Sequence, residues 1–270
     1  MRHFPIIVWS LSVLIADVFP QSNGGSIPGN FANDVSRSIR GTGYVLTSPL
    51  RWQGKDWFRF SAVLAGTFAL SYADETVDDF FQRNHSSAAD KLADIGVEYG
   101  EPRTVVITTG VVYLTGLVFD NEWLRDSAVI LTSALLPAGG LQTATKYASG
   151  RARPHVGKGY DEFDPFHGGE DYFSFFSGHT LVTMATSHAY ASRTRNVPVK
   201  IALYALGGVG GLARMYNEDH WLSDLVLGSV VGIVSVNSAS RWLSAQKGSE
   251  LGMRWQIRPL GRGAMLSLNW

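Results

Sequence analysis

Cysteine is absent from all 270 residues, so neither a disulfide framework nor thiolate chemistry is open to this chain. Charge is scarce too. Lys, Arg, Asp and Glu make up 17% of the sequence and cancel to a formal net charge of zero, against about 25% charged residues in an ordinary soluble domain. With no basic excess, the chain lacks the electrostatic footprint of a nucleic-acid binder. Long unbroken apolar runs are also missing; the strongest are about 14–18 residues, at or below the roughly 20 that a bilayer span needs. Apolar residues still reach 45%. With a mean hydropathy of +0.02, the composition leans towards a membrane or its surface but is milder than that of a polytopic membrane protein.

Taken in order, residues 1–22 read as a signal peptide or N-terminal anchor. Arg2 and His3 precede an apolar run from Phe4 to Val18, the charge order of an exported chain. Residues 23–56 are rich in Gly, Ser, Asn and Pro and read as a loosely ordered arm. Residues 57–245 hold the apolar segments of an all-α bundle of about six helices. Within it, Phe58–Tyr72, Arg103–Phe119, Ser127–Thr145, Thr180–Ser192, Val199–Met215 and Leu222–Val236 are the helical candidates. Pro137 and the following glycine pair are predicted to bend or break the third. These segments fit short tilted spans, partly embedded helices or a soluble core. Asp74–Gly100 is polar and helix-compatible. Its carboxylates Asp74, Glu75, Asp78 and Asp79 have no histidine at ligand spacing, so a solvated helix face is predicted rather than a metal site. Residues 250–270 alternate apolar and polar around Gly261 and Gly263, the pattern of a small β-hairpin, expected to pack on the helical body or pair with another chain.

Three polar clusters interrupt the apolar segments. Lys146 and Arg153 flank the end of a helix and enter a loop fixed by Pro154. Arg153 offers a planar fork to two phosphate oxygens and Lys146 a point charge. Taken alone, such a pair is more often a solvated or membrane-edge helix end. Ser177, Gly178 and His179 follow an aromatic run and open an apolar helix. The free N–H groups of a helix N-terminus make an anion seat, although Ser177 serves equally as an N-cap. A histidine there suits proton donation to a leaving alkoxide. Arg214 closes one apolar helix, and His220 and Asp224 lie four residues apart at the start of the next. The carboxylate can hold one ring nitrogen protonated and free the other to attack phosphorus; Asp224 also suits a helix N-terminus.

Together, Lys-x6-Arg-Pro, Ser-Gly-His and Arg-x5-His-x3-Asp, in this order between apolar helices, resemble the type 2 phosphatidic acid phosphatase superfamily. Its branches include lipid phosphatases, class A acid phosphatases and vanadium haloperoxidases. The resemblance spans roughly Phe58 to Arg241. It implies that Lys146, Arg153 and Arg214 bind phosphate oxygens, aided by Ser177 and the Gly178 amide. It implies His220 as the nucleophile that forms a phosphohistidine, Asp224 as its orienter and His179 as the acid that protonates the leaving group. No metal and no cofactor are implied. Two positions depart from the pattern. Phe176 stands where the family has Pro before Ser-Gly-His, and Ala213 where it has Ser before the third-motif Arg; both bear on substrate choice more than on reaction type.

The resemblance implies a phosphatase acting on a phosphomonoester or diphosphate, lipid-linked in the favoured reading, in the cell membrane or periplasm with its site on the non-cytoplasmic side. A soluble acid phosphatase of broad specificity and a vanadate-dependent haloperoxidase are the alternatives. Of the other polar residues, His155 is placed at the site rim, and Arg151 and Lys158 as widening the cationic mouth. Asp219 either tunes His220 or is merely solvated. His85, His167 and His188 have no partner at useful spacing. Gly207 to Gly211 has no strand before it, so close helix packing accounts for it better than a nucleotide loop.

Overall fold

The computed structural model describes residues 26–251, 254–260 and 263–269, with side chains described up to residue 247. The expected export segment, residues 1–22, lies outside them. The described residues hold nine α-helices: α1 Ile27–Leu46, α2 Gly54–Ser71, α3 Asp74–Arg83, α4 Ser87–Gly100, α5 Pro102–Val118, α6 Glu122–Ser149, α7 Gly178–Ala191, α8 Val197–Tyr216 and α9 Leu222–Leu251. An all-α bundle was expected, but with about six helices.

The difference has local causes. The polar stretch read as one segment is split by Ser86, whose side chain accepts from the Ala89 amide and caps α4. Pro102 then starts α5 within its first turn, where proline's missing N–H costs nothing. The stretch read as a loose arm holds α1, capped by Ser26 accepting from the Gly29 amide. Composition misleads here because Gly41 is a packing residue. A Cβ on it would sit 2.5 Å from Ser133 Oγ on α6, so glycine is what lets the two helices approach. Pro137 does not break α6, which runs unbroken from Glu122 to Ser149. Packing of α6 against α1, α5, α7 and α9 outweighs the one lost hydrogen bond.

The core is built on α6, α7 and α9. Val129, Ile130, Leu131 and Ala134 of α6 pack with Ala185 and Ala189 of α7 and with Val236, Ala239 and Trp242 of α9. Small residues set the spacing of α7 and α8: a Cβ on Gly207 would meet Ser187 Oγ at 2.7 Å, and one on Gly210 would meet Thr183 Cγ2 at 2.4 Å. The glycine run is therefore a close-packing device. Outward faces are apolar: Phe58, Phe68, Val106, Val118, Phe119, Leu136 and Ile201 are all well exposed. By length and composition, α6 and Leu222–Lys247 of α9 could cross a membrane.

The helical body contains no sheet. At the C-terminus, the backbone of Arg254–Leu260 pairs antiparallel with Gly263–Asn269. The turn and the side chains there lie outside the described residues, so the expected hairpin packed on the bundle is not supported.

Candidate active site

The ends of four helices and one long loop build a polar cleft. Lys146 is in the last turn of α6, Gly178 and His179 open α7, Arg214 ends α8, and His220 and Asp224 flank the start of α9. The loop from Gly150 to Ser177 closes the ring. It is anchored where α6 ends: Gly150 is left-handed, and a Cβ there would lie 1.7 Å from the Asp164 carbonyl oxygen. Only glycine fits both the backbone sign and the contact.

Arg153 and Arg214 converge on a single carboxylate. Arg153 Nη1 lies 2.9 Å from Asp219 Oδ1, and Arg214 Nη2 lies 2.9 Å from Asp219 Oδ2. All three side chains keep a sixth to a fifth of their surface exposed, at 16%, 18% and 19% for Arg153, Arg214 and Asp219. Asp219 is therefore neither a solvated bystander nor in direct contact with the His220 ring by any resolved hydrogen bond. Lys146, half-buried, makes no ion pair among the described residues, and its charge acts on His220.

His220 is only 2% exposed. Its Nδ1 lies 3.8 Å from Asp224 Oδ2, within ion-pair range but too long for a hydrogen bond, and Nδ1 has no other partner. The ring therefore turns Nδ1 towards the carboxylate and Nε2 away from it. Burial, with the Lys146 and Arg214 charges behind it, pushes the His220 imidazole down to about 4. The ring is neutral at neutral pH, as a nucleophile must be.

Beneath His220 lies a buried brace that the sequence did not disclose. Arg151, 2% exposed, donates through Nη1 to Asp224 Oδ1 at 2.7 Å and through Nη2 to Asp74 Oδ2 at 2.8 Å. Its Nε donates to the Tyr160 carbonyl at 2.9 Å. Asp74 accepts from the Ser223 amide at 2.9 Å and from Ser223 Oγ at 2.6 Å, so it caps α9. Ser174 Oγ donates to Asp224 Oδ2 at 2.5 Å, and the Trp221 amide donates to the same oxygen at 3.0 Å. This corrects two expectations. Arg151 does not widen the cationic mouth, because every one of its nitrogens is spent in the interior. Asp74 is not on a solvated helix face but fully buried, while Glu75 and Asp79 remain exposed. Asp74 and Ser223 are 149 positions apart, beyond the reach of local spacing.

Ser177 is fully buried; its Oγ accepts from the Thr180 amide at 3.3 Å and from Thr180 Oγ1 at 3.0 Å. In this geometry it is an N-cap. Gln142 of α6 packs over Gly178: a Cβ there would lie 2.9 Å from the Gln142 side-chain amide. Gln142, one turn before Lys146, donates to the Phe176 carbonyl at 3.2 Å and holds the turn in which Phe176 replaces the family's proline. Phe176 itself fills an apolar cluster with Ala138, Leu181 and Leu227.

His179 Nε2 lies 3.1 Å from the Gly96 carbonyl oxygen of α4. Burial, opposed by that hydrogen bond, lowers its imidazole to about 4. His179 thus packs against α4 with Nδ1 left over. Among the remaining histidines, His155 bonds the Glu218 carbonyl and Asp171, joining the loop to the 214–220 turn. His85 stacks on Tyr216, His167 pairs with Asp164, and His188 bridges Tyr204 and Asn237. Lys158 lies at the surface beside Glu162 and Tyr172.

A sequence profile described as the PAP2 superfamily matches residues 127–247. That segment carries all three motifs and every helix end of the cleft. The chain is similar to the lipid A 1-phosphatase of Porphyromonas gingivalis, at 31% identity over 108 residues, which are 39% of this chain and 21% of that protein. The chain therefore aligns with about a fifth of that relative's length. The crystal structure of Aquifex aeolicus LpxE superposes with a TM-score of 0.48 at 14% identity, covering 62% of this chain and 94% of that one.

Proposed function

We propose that the chain is a PAP2-type phosphatase that hydrolyses a phosphate ester of a lipid through a phosphohistidine at His220. The observation that carries this reading is the convergence of Arg153 and Arg214, with Lys146 nearby, at the residue next to a buried neutral histidine. Three cations within one cleft stabilise the charge spread over a transferring phosphoryl group.

In the proposed cycle, Lys146, Arg153 and Arg214 hold the phosphoryl oxygens, and the amide of Gly178 adds the positive end of α7. The lone pair on His220 Nε2 forms the N–P bond as the P–O ester bond breaks. His179 gives a proton to the departing alkoxide. A water then attacks phosphorus, His179 takes its proton, and the N–P bond breaks to release phosphate and neutral His220. Asp224 steadies the imidazolium, and Arg151 prevents Asp224 from turning away. Burial is the main cause that lowers the His179 imidazole, with the Arg214 and Lys146 charges adding to it and Asp219 opposing them. A phosphate dianion seated beside Lys146 and Arg214 reverses the local sign and favours the protonated ring.

A lipid substrate is favoured by the exposed apolar flanks of α2, α5 and α6, which suit a lipid surround. The two helices of bilayer length agree with this. Residues 57–245 form the catalytic unit in this proposal. Export, with the cleft on the non-cytoplasmic face, is part of it and rests on the basic-then-apolar N-terminus. The test is phosphate release by purified protein in detergent, with a chelator present, on a panel of phosphorylated lipids, lipid A among them, and on para-nitrophenyl phosphate. Release from a lipid that survives chelation and is lost in His220→Ala supports the proposal. Release that requires an added divalent metal, or persists in His220→Ala, contradicts it.

A further inference from the structure

The carboxylate between Arg153 and Arg214 does more than the motifs require. We propose that Asp219 is a specificity-determining residue, a built-in anion that lowers the positive charge of the cleft so that it favours a single phosphate group over a diphosphate. This rests on the reading of the two arginines as phosphate ligands.

The geometry is that of a clasp. Each Asp219 oxygen takes a different guanidinium, at 2.9 Å in both cases. The carboxylate is folded back by a tight turn: Glu218 is left-handed at φ 54°, and the Asp219 amide donates to the Arg214 carbonyl at 2.9 Å. From the opposite side, the His155 amide donates to the Glu218 carbonyl at 3.2 Å, and the Arg153 amide to the Asp171 carbonyl at 2.9 Å. These backbone contacts fix the turn that carries Asp219 and the loop that carries Arg153, from which the side chains meet.

Neither arginine is saturated. The Nε atoms of Arg153 and Arg214 are buried with no partner, whereas Arg151, two residues before Arg153, has all three nitrogens engaged. The clasp thus leaves donors for an incoming anion. Charge then decides which anion. Lys146, Arg153 and Arg214 supply three positive charges and Asp219 removes one, leaving two to meet a phosphomonoester dianion. A diphosphate brings at least one further negative charge to a partly buried cluster, where like charges repel more than in bulk water.

The experiment measures binding of orthophosphate and pyrophosphate by calorimetry to the full chain in detergent. It compares wild type with Asp219→Asn, which keeps the shape and removes the charge, and Asp219→Glu, which keeps the charge. The expected result for Asp219→Asn is about tenfold tighter pyrophosphate with a much smaller change for orthophosphate, while Asp219→Glu keeps the wild-type ratio. KM for a diphosphate substrate should fall in Asp219→Asn more than kcat changes. If Asp219→Asn weakens both anions equally or leaves their ratio unchanged, Asp219 is a structural brace and the inference fails alone. If wild type binds neither anion, the phosphate reading fails and takes the inference with it.

Discussion

The two ends of the bundle treat charge in opposite ways. At the end away from the cleft, α1, α6 and α9 meet in a network of ion pairs. Arg37 pairs with Asp34 and Asp126, Arg193 pairs with Asp126, and Lys247 pairs with Glu122 and Asp126. Arg125 adds pairs to Asp34 and Asp120. Four cations face four carboxylates there, and the network closes on itself. At the cleft, Arg153 and Arg214 share the carboxylate Asp219, while Lys146 has no ion pair among the described residues. The two ends are joined by α6, a helix of 28 residues and on the order of 40 Å long. A balanced network holds helices together; an unbalanced one is held ready for an anion. The lesson is that ion-pair count matters less than the sum of charge.

Four changes break or sharpen this comparison. The largest effect belongs to His220→Ala, which should cost at least about a thousandfold in phosphate release with little change in the melting temperature, as removal of a nucleophile does. Next comes Arg151→Met. It strands Asp74 and Asp224 as buried charges, so a loss of about 3–5 kcal/mol in stability is expected. Calorimetric melting checks it, and Asp74→Asn combined with Arg151→Met should recover part of the loss. Arg153→Lys keeps the charge but loses the fork. Its expected signature is a KM raised roughly tenfold with a near-normal melting temperature. Lys247→Met, at the far end, should leave kcat and KM unchanged and cost roughly 1 kcal/mol or less, since Lys247 keeps nearly a third of its surface exposed, at 31%. If Lys247→Met damaged turnover as Arg153→Lys does, the distinction between the two ends would collapse.

Acid adds a smaller, graded effect. His220 and His179 are both held near 4 in the folded chain, below the ordinary value of about 6.5 in the unfolded one. Between those values the unfolded chain binds protons that the folded chain refuses, so stability falls as pH drops from about 6.5 towards 4. His220→Gln should lose less melting temperature than wild type between pH 7 and pH 5, and an equal loss would mean that His220 is not buried neutral.

How much of this the sequence disclosed follows from distance along the chain. The motif residues were legible because each cluster is local: His220 and Asp224 lie four residues apart at one helix start, and Lys146 and Arg153 flank one helix end. Asp74 was misread because its partners Arg151 and Ser223 lie far downstream, and nothing within four residues of it marks burial. Asp219 was seen but left undecided, because the turn that folds it over Arg214 depends on the left-handed Glu218, and a glutamate does not announce a left-handed position. The α1 helix was hidden by composition: its glycine and serine content reads as a loop until Gly41 is set against Ser133. Pro137 pointed to a break that tertiary packing overrides.

The central claim is that phosphate passes through His220. The most direct measurement is rapid acid-free quenching of the protein during turnover of a radiolabelled phosphoester, followed by peptide mapping. The account predicts an acid-labile, alkali-stable label on His220 of wild type and none on His220→Ala. Label on a different residue, or steady turnover with no label on any histidine, would contradict it.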